Sequence, residues 1–406
     1  MYFSFAWRYF KAKKSTNAIN IISWVSVVAI IVGSASLIII LSAFNGFESL
    51  VKSLYTSFYA DVRISTAKGK VIRLSEDQRK KLASWPGIKA SSLIAEENAM
   101  LTNGDIHTII SIKGVDSGYR YISGVPEKMI RGNFNLGTGE EPRAVMGVGI
   151  ENAIGILSDR AINPLTVYLP KKVPAGTTDP LSSLSQGQIF PSGSFAIQSE
   201  FDNKYVITNI DFLKTYLNYE PDEFTAMEFI LTDINEESDI IAKMKDYLGN
   251  DYLVQNRYEQ NKSLYSTISL EKWAIYGIFS LILLVAAFNM IGALSMLVLE
   301  KKKDIQVLQA MGAEKSMIRK IFLSEGLLLA MIGAGGGLAV ALILYYLQTN
   351  YKLVPLQGQS FLIDYYPMKL VLTDIILVIA TVFTIGLLAS WFPAARAARQ
   401  PFELRN

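Results

Sequence analysis

The 406-residue sequence contains no cysteine, a single histidine and few charged residues for its length. The absence of cysteine excludes thiol nucleophiles, disulfide bonds and thiolate metal sites. The one histidine, His107, lies in a strand-like run, which favours a structural role over that of a ligand or base. Charged residues make up 18% of the chain and hydrophobic residues 50%. This balance is too apolar for an ordinary soluble protein of this size.

The sequence also lacks the phosphate-binding motif G-x-x-x-x-G-K-[ST]. Its only Gly-Lys pair, Gly69-Lys70, is followed by Val71, so the chain does not bind ATP through a P-loop. Neighbouring carboxylates such as Glu96-Glu97 have nothing beside them that indicates catalysis, and we interpret them as solvated surface. We therefore expect no catalytic residue, metal site or cofactor in this chain. If it takes part in active transport, another polypeptide must supply the energy.

Four stretches carry no charge: residues 15–47, 273–299, 326–351 and 375–395. Each exceeds the ~20 helical residues that cross a ~30 Å hydrocarbon core. We predict transmembrane helices at 19–44, 272–299, 321–348 and 370–392. No charged residue is expected deep in any span. This argues against a proton- or ion-coupled carrier, because such carriers need carboxylates within the membrane.

The charge distribution predicts the orientation. Residues 48–272 hold 24 Lys and Arg against 29 Asp and Glu, whereas the remainder of the chain holds 15 against 7. The positive-inside rule then places both termini in the cytoplasm and residues 45–271 outside. The first 18 residues mix aromatic and basic side chains, as in a helix lying on the membrane surface. The apolar run after them is too long for a cleaved signal peptide.

A short charged segment, residues 300–320, separates the second and third spans. Ile305, Leu308 and Met311 recur every three residues with Val307 nearby, which gives a charged helix a small apolar stripe. Gly312 is a suitable stop for that helix, since glycine accepts the left-handed conformation. Such a helix either docks on a soluble partner or lies on the lipid headgroups. The residues leave both possibilities open.

Residues 45–271 predict a mixed α/β domain. Alternating runs predict strands at 62–65, 88–102, 107–115, 165–169, 226–231 and 252–255. Helices are predicted after the capping box at Ser75 and at 142–156, 210–217 and 235–248, and a further helix at 259–272 should continue into the second span. A hairpin is predicted around Asp202-Asn203. Residues 170–191 contain four prolines and no sustained period, so they predict a long loop that is either functional or a mobile surface segment.

Three motifs, in one order along the chain, carry a family resemblance. "AAFNMIGALSMLVLEKKKDIQVLQAMGAEKSMIRKIFLSEG" resembles the corresponding stretch of FtsX/MacB-type ABC permeases, and within them most resembles the LolC/LolE lipoprotein-releasing permeases. "WRYF…INIISWVSVVAIIVGSASLIIILSAFNGFE" is similar to the first span of that family. "ASWFPAARAARQPFELRN" resembles its closing signature P-x-x-R-A-A-R-x-x-P-x-E-x-L-R, here one residue short between Arg399 and Pro401.

The resemblance implies an α-helical membrane protein with four transmembrane helices and a large mixed α/β periplasmic domain between helices 1 and 2. The protein would lie in the bacterial inner membrane. Its periplasmic domain, residues 45–271, would be porter-like, with an inserted subdomain at about 101–204. A periplasmic loop at 349–369 and a cytoplasmic tail at 393–406 complete the implied organisation.

The resemblance also implies partners and site residues. The segment 300–320 would be the coupling helix on a LolD-like ATP-binding subunit, which would hold ATP and Mg. The implied coupling residues are Lys303, Asp304, Ile305, Val307, Leu308, Met311 and Gly312. Acyl chains of lipoprotein substrates, or membrane lipid, would enter between spans one and two at Leu41, Phe44, Phe47, Ile268, Tyr276 and Phe279. Residues 170–191 would form a hook for a LolA-like periplasmic carrier, with Val173, Leu181, Leu184, Ile189 and Phe190 as contacts.

The expected function is that of the membrane subunit of an ATP-driven lipoprotein-releasing transporter. A second permease copy or a paralogue is a further expected partner. The basic residues flank apolar spans on three separate segments, so no nucleic-acid partner is expected. Two alternatives stay open: a MacB-like efflux or mechanotransmission permease, and a non-transporting FtsX-like scaffold that regulates cell-wall hydrolases.

Overall fold

A computed structural model describes residues 17–171, 184–356 and 365–400, without the side chains of residues 17–20 and 23. These residues form two compact units. The membrane-helix unit takes its described residues from Met1–Leu50, Ser266–Leu356 and Tyr365–Asn406. The α/β unit takes its described residues from Val51–Tyr265.

The α-helices, in chain order, are α1 (Asn17–Phe58), α2 (Glu76–Ala83), α3 (Tyr119–Ile122), α4 (Val148–Ala153), α5 (Ser199–Asp202), α6 (Ile210–Leu217), α7 (Glu237–Leu248), α8 (Arg257–Gln260), α9 (Lys262–Glu300), α10 (Lys302–Ala310), α11 (Lys315–Tyr351) and α12 (Leu372–Ala398). The strands are β1 (Val62–Thr66), β2 (Ile72–Arg73), β3 (Ile88–Asn103), β4 (Ile106–Val115), β5 (Met129–Gly132), β6 (Arg143–Gly147), β7 (Leu165–Pro170), β8 (Leu184–Phe195), β9 (Tyr205–Asn209), β10 (Glu223–Phe224), β11 (Ala226–Leu231) and β12 (Tyr252–Asn256).

Four of the helices, α1, α9, α11 and α12, are long and apolar enough to cross a membrane. The four predicted spans fall on these helices, so four candidate membrane helices are confirmed. Helix α12 continues past the predicted end of the fourth span, through Pro393 to Ala398. The predicted continuous helix at 259–272 is interrupted, since α8 ends at Gln260 and α9 begins at Lys262.

Helices α1 and α11 approach closely where α11 carries glycines. A side-chain carbon at Gly333 would lie 2.4 Å from Ile30, and one at Gly337 would lie 1.9 Å from the Ser34 hydroxyl. The Ser34 hydroxyl also reaches the Gly333 carbonyl oxygen, at 3.4 Å. Small residues therefore set the distance between these helices, as expected where lipid supplies no hydrophobic drive for association.

The α/β unit is built on a ten-stranded sheet in which one long strand serves two parts. Part of β3 pairs with β11, which pairs with β1, and β1 pairs with the edge strand β12. From Ile94 onward, β3 pairs with β4, and pairings through β9, β6, β8 and β7 lead back to β3. These six strands close a ring. Strand β3 runs without a break through both parts of the sheet, so it marks no boundary between them. The predicted subdomain boundaries near 101 and 204 stay a prediction.

Helix α6 covers the ring where two strands carry glycine. A side-chain carbon at Gly114 of β4 would lie 2.8 Å from Leu213, and one at Gly187 of β8 would lie 2.9 Å from Phe212. Phe212 and Leu213 are buried in the core of this unit. The bounds of α6 and β11 equal the predicted 210–217 and 226–231.

Three predictions for this unit were wrong. Residues 143–147 form a strand rather than the start of a helix. The predicted hairpin at Asp202-Asn203 is absent, because β6 lies between β8 and β9. Residues 184–191 belong to β8 rather than to a loop. The alternation in β8 is hard to see in the sequence because its inward positions include Ser185 and Gly187, whereas Leu184 points outward.

Candidate functional site

The elbow, which we define as residues 301–314 between α9 and α11, contains the helix α10. Ile305 is buried in the core of the membrane-helix unit, a core that also includes Ile318 and Phe322. On the outside, Val307 is 58% exposed and Met311 is 71% exposed. The elbow thus presents a small apolar surface while its own core residue holds it to the membrane helices.

The end of α10 follows the sequence prediction. Gly312 has a φ of +87°, the left-handed conformation that favours glycine. The N–H of Ala313 donates to the Leu308 carbonyl, at 2.9 Å. The side-chain amide of Gln309 donates to the Gln400 carbonyl, at 3.4 Å, which joins the elbow to the end of α12. A displacement of the elbow would therefore reach three membrane helices.

The predicted coupling residues do not all share one surface. Lys303 and Asp304 are exposed, and the Asp304 carboxylate pairs with Lys301 at 3.3 Å. Leu308 is half-buried. Ile305 was wrongly included, because its buried side chain holds the elbow in place and is not free to meet a partner. Three-residue spacing drifts around a helix of 3.6 residues per turn, so the predicted stripe divides between an inner and an outer face.

The six predicted lipid contacts lie at the facing parts of α1 and α9. Leu41 and Ile268 are buried. The other four, Phe44, Phe47, Tyr276 and Phe279, are half-buried. Deeper in the unit, a side-chain carbon at Gly33 would lie 2.7 Å from Leu283, so α1 and α9 touch there. This contact between α1 and α9 involves none of the six predicted lipid contacts.

Sequence reasoning missed a polar cluster beside these residues. The Lys272 ammonium pairs with the Asp374 carboxylate at 3.0 Å and donates to the Asn45 side-chain oxygen at 2.9 Å. The Asn45 amide nitrogen donates to the same Asp374 oxygen at 2.7 Å. One turn along α9, the Tyr276 and Thr381 hydroxyls are 2.5 Å apart. The sequence did carry a signal for this cluster. The basic residue Lys272 begins the second predicted span, and the acidic residue Asp374 lies near the start of the fourth.

One further charge was missed. Glu325 is buried in α11 inside the predicted span 321–348. It is the fifth residue of that span, so the expectation that no charged residue lies deep in a span stays a prediction. The charge-free run begins at the next residue, Gly326, whose missing side chain lets Ser390 of α12 approach.

The predicted hook falls partly outside the described residues, as Val173 and Leu181 do. Leu184 and Phe190 lie on β8 and are exposed. Ile189, which lies next to Phe190 on the same strand, is fully buried in the core of the α/β unit. Ile189 is therefore a packing residue and not a contact for a carrier, because neighbouring residues of a strand point to opposite faces.

The α/β unit holds a buried ion network on four strands. Arg63 contacts Glu228 at 2.7 Å and Glu96 at 3.1 Å, and Lys113 contacts Glu228 at 2.9 Å. Burial alone would lower the pKa of Lys113, but the Glu228 carboxylate together with Tyr119 and Glu96 outweighs burial and raises it. Burial alone would raise the pKa of Glu96, but Arg63 and Lys113 outweigh burial and lower it. Lys113 and Glu96 are thereby held in their charged forms.

The network corrects the interpretation of Glu96-Glu97 as solvated surface. Glu96 belongs to the network, and Glu97 pairs with Lys70 at 2.8 Å. These partners give the two carboxylates structural roles. His107 is exposed on β4, and across the described residues no group of three potential ligands is placed to hold a metal ion.

Comparison with known proteins shows what this chain is similar to. Residues 276–402 match the family described as "FtsX-like permease C-terminal". With four candidate membrane helices, this match defines a multi-pass membrane protein with an FtsX-like permease region. The chain is 26% identical to the "Lipoprotein-releasing system transmembrane protein LolE" of Haemophilus influenzae, over 99% of this chain and 98% of that protein. It is also 26% identical to LolC of Neisseria meningitidis serogroup B, over 98% of this chain and 96% of that protein. The resemblance to LolC/LolE permeases inferred from the motifs is confirmed.

Among solved structures, the periplasmic region of MacB from Actinobacillus actinomycetemcomitans aligns with 53% of this chain and 98% of its own. The identity is 11% and the TM-score 0.36. A likeness of this size carries no further argument.

Proposed function

We propose that this chain is the membrane subunit of an ATP-driven transporter that releases lipoproteins from the outer leaflet of the bacterial inner membrane to a soluble periplasmic carrier. Its similarity to LolE and LolC extends over nearly the whole of each chain, which supports the same role. Since the sequence has no P-loop, a separate LolD-like subunit would bind ATP and Mg.

The observation that carries the proposal is the geometry of the elbow. Val307 and Met311 are exposed on a helix whose Ile305 is buried among the membrane helices. An exposed apolar surface on a rigidly held element is suited to contact with another protein. Since α10 lies between α9 and α11, force applied there by the ATP-binding subunit would move both helices.

In this proposal the elbow and both termini lie in the cytoplasm and residues 45–271 lie in the periplasm. A second permease copy or a paralogue completes the complex. Lipid chains would enter between α1 and α9, at the six residues predicted for that role. Leu184 and Phe190, exposed on β8, would contribute to contact with the LolA-like carrier.

The elbow gives the sharpest test. Val307→Asp and Met311→Asp each place a charge on the proposed docking surface without touching the buried Ile305. Each should lower co-purification of the ATP-binding subunit roughly tenfold, equivalent to about 1.4 kcal/mol of binding free energy. ATP-dependent release of lipoprotein from proteoliposomes to the soluble carrier should fall with it.

Ile162→Asp is the matched control, since Ile162 is an apolar residue of the α/β unit that is 87% exposed. It should change neither co-purification nor the amount of inserted permease. Normal complex formation and release in both elbow variants would contradict the docking role. A wild-type complex that hydrolyses ATP without releasing lipoprotein would contradict the transport function and favour an efflux permease or a scaffold.

A further inference from the structure

Three polar side chains of the membrane-helix unit meet where three helices come together. Asn45 belongs to α1, Lys272 to α9 and Asp374 to α12, and their contacts measure between 2.7 and 3.0 Å. Asn45 is buried, whereas the side chains of Lys272 and Asp374 are 28% and 14% exposed. We call these three residues the polar clasp. Its ammonium is within reach of a ligand.

The clasp lies on the faces that carry the predicted lipid contacts. Lys272 is four residues after Ile268 and four before Tyr276, so all three share one face of α9. Asn45 is four residues after Leu41 and shares its face of α1. An acyl chain that lies along Leu41, Ile268 and Tyr276 would therefore bring its polar end to Lys272 and Asn45. In an apolar path, a polar head is most stable where it finds polar partners.

The three helices are joined with unequal strength. The Lys369 N–H donates to the Ser42 carbonyl at 2.8 Å, and a side-chain carbon at Gly46 would lie 2.1 Å from the Pro367 carbonyl oxygen. Backbone contacts thus hold α1 to the segment that precedes α12. Helix α9 is held to this pair by side chains, by Lys272 at the clasp and, one turn along, by the contact of the Tyr276 hydroxyl with Thr381. Of the three helices, α9 can therefore move away with the least rearrangement.

We propose that the clasp closes the path between α1 and α9, and that Lys272 also positions the substrate. When α9 moves away, the ester oxygens of an acylglycerol group on the lipoprotein replace Asn45 as the hydrogen-bond partner of Lys272. This role deepens the proposed lipoprotein release and rests on it. Lys272 is then a residue that sets how deeply the lipid enters.

Two variants distinguish the closing of the path by the clasp from the positioning of the substrate by Lys272. Asp374→Asn removes the charge that holds Lys272 and leaves the ammonium in place. Lys272→Gln opens the clasp and also removes the ammonium. A salt bridge with only a structural role would make the two variants behave alike. The test uses the full chain in lipid nanodiscs, with a fluorescent synthetic peptide whose terminal cysteine carries a diacylglyceryl group.

Lys272→Gln should weaken binding of this lipopeptide roughly tenfold, the loss expected for one charge-assisted hydrogen bond. Asp374→Asn should bind it at least as tightly as wild type, because the clasp no longer competes. Equal losses in both variants would overturn the positioning role. Unchanged binding in Lys272→Gln would overturn it as well.

Whether the clasp closes the path is measured in a separate experiment, by the accessibility of a thiol. The sequence contains no cysteine, so Leu41→Cys supplies a single thiol on the lipid face of α1. A membrane-permeant thiol reagent should modify it several-fold faster in both clasp variants than in the background carrying Leu41→Cys alone. Equal rates in all three would overturn the clasp. Lys369→Gln, which removes a neighbouring exposed ammonium outside the clasp, should change neither measurement.

Two probes identify what Lys272 contacts. A fluorescent phospholipid with the same acyl chains carries the same ester groups as the lipopeptide. A loss with the lipopeptide supports the proposal whether or not the phospholipid shares it, whereas a loss confined to the phospholipid overturns the substrate role. If wild type binds no lipopeptide, lipoprotein release itself fails, and the thiol measurement still decides whether the clasp closes the path.

Discussion

The two units of this chain stabilise themselves by contrasting means. The α/β unit buries an ion network in which Arg63, Glu96, Lys113 and Glu228 contact one another inside a sheet. In the membrane-helix unit, α1 and α11 instead meet where glycines let two backbones approach. Buried charge stabilises only with well-placed partners, and helices in lipid associate mainly through close packing.

Strand register explains why the α/β unit tolerates its charges. Arg63 lies directly opposite Glu228 in the pairing of β1 with β11. Glu96 lies directly opposite Lys113 in the pairing of β3 with β4. A sheet therefore fixes opposite charges side by side, at spacings that the ladder sets. The lesson is that each unit uses the contact that its own backbone geometry supplies.

The largest effect is expected from breaking the ion network. Lys113→Met leaves Glu228 buried with one partner fewer, which should cost about 3 to 5 kcal/mol of the unfolding free energy. Thermal denaturation of the full chain in detergent measures the loss.

Lys80→Met is the matched control, because the pair of Lys80 with Glu76 lies at the exposed surface. It should leave the denaturation curve unchanged. Adding Glu228→Gln to Lys113→Met should recover part of the loss, since the carboxylate that lost its partner is then gone. Similar curves for both single variants would mean that the network adds no stability.

A smaller effect should follow from separating α1 and α11. Gly337→Ala places a side-chain carbon 1.9 Å from the Ser34 hydroxyl and 2.9 Å from the Ile31 carbonyl. The helices must shift, which should cost about 1 to 3 kcal/mol.

Gly335→Ala is the control in the same helix, because nothing lies within 4 Å of the added carbon. It should be neutral or should stabilise the helix by up to about 1 kcal/mol, through the higher helix propensity of alanine. If both variants changed stability equally, close packing would not be what joins α1 to α11.

The smallest effect concerns one carboxyl of the α/β unit. Burial raises the pKa of Asp202 from 3.8 to about 6, against a hydrogen bond from the Ile197 N–H that lowers it. The folded state therefore binds a proton that the unfolded state releases, so stability should fall as the pH rises from 4 to 6. Between pH 5 and 7 this group should contribute about 1.4 kcal/mol.

Asp202→Asn should remove this contribution from the difference in melting temperature between the two pH values. Asp105→Asn, at the exposed tip of the β3–β4 hairpin, should keep it. Glu96 stays ionised throughout, because its pKa is lowered. An unchanged pH dependence in Asp202→Asn would mean that this carboxyl is not the group that titrates.

Local pattern was sufficient for many elements. The capping box at Ser75 begins α2, with Gln78 as its reciprocal partner. The turn glycine Gly312 ends the elbow helix. These features depend on a few neighbouring residues. Pattern failed at residues 143–147, a strand whose last four residues are all buried, so there is no alternation to see. It also failed at residues 184–191, where Ser185 and Gly187 at inward positions concealed the alternation.

By itself, the sequence determined the four apolar helices, the charged elbow between two of them, and the mixed α/β character of residues 45–271. These follow from composition and short-range period, which any segment carries within itself. Only the tertiary structure decided that Ile305 faces inward, that six strands (β3, β4, β9, β6, β8 and β7) close a ring, and that Asn45, Lys272 and Asp374 meet. Those facts depend on residues up to 329 positions apart. Their contacts are set by packing between helices and by strand register, which no single segment encodes.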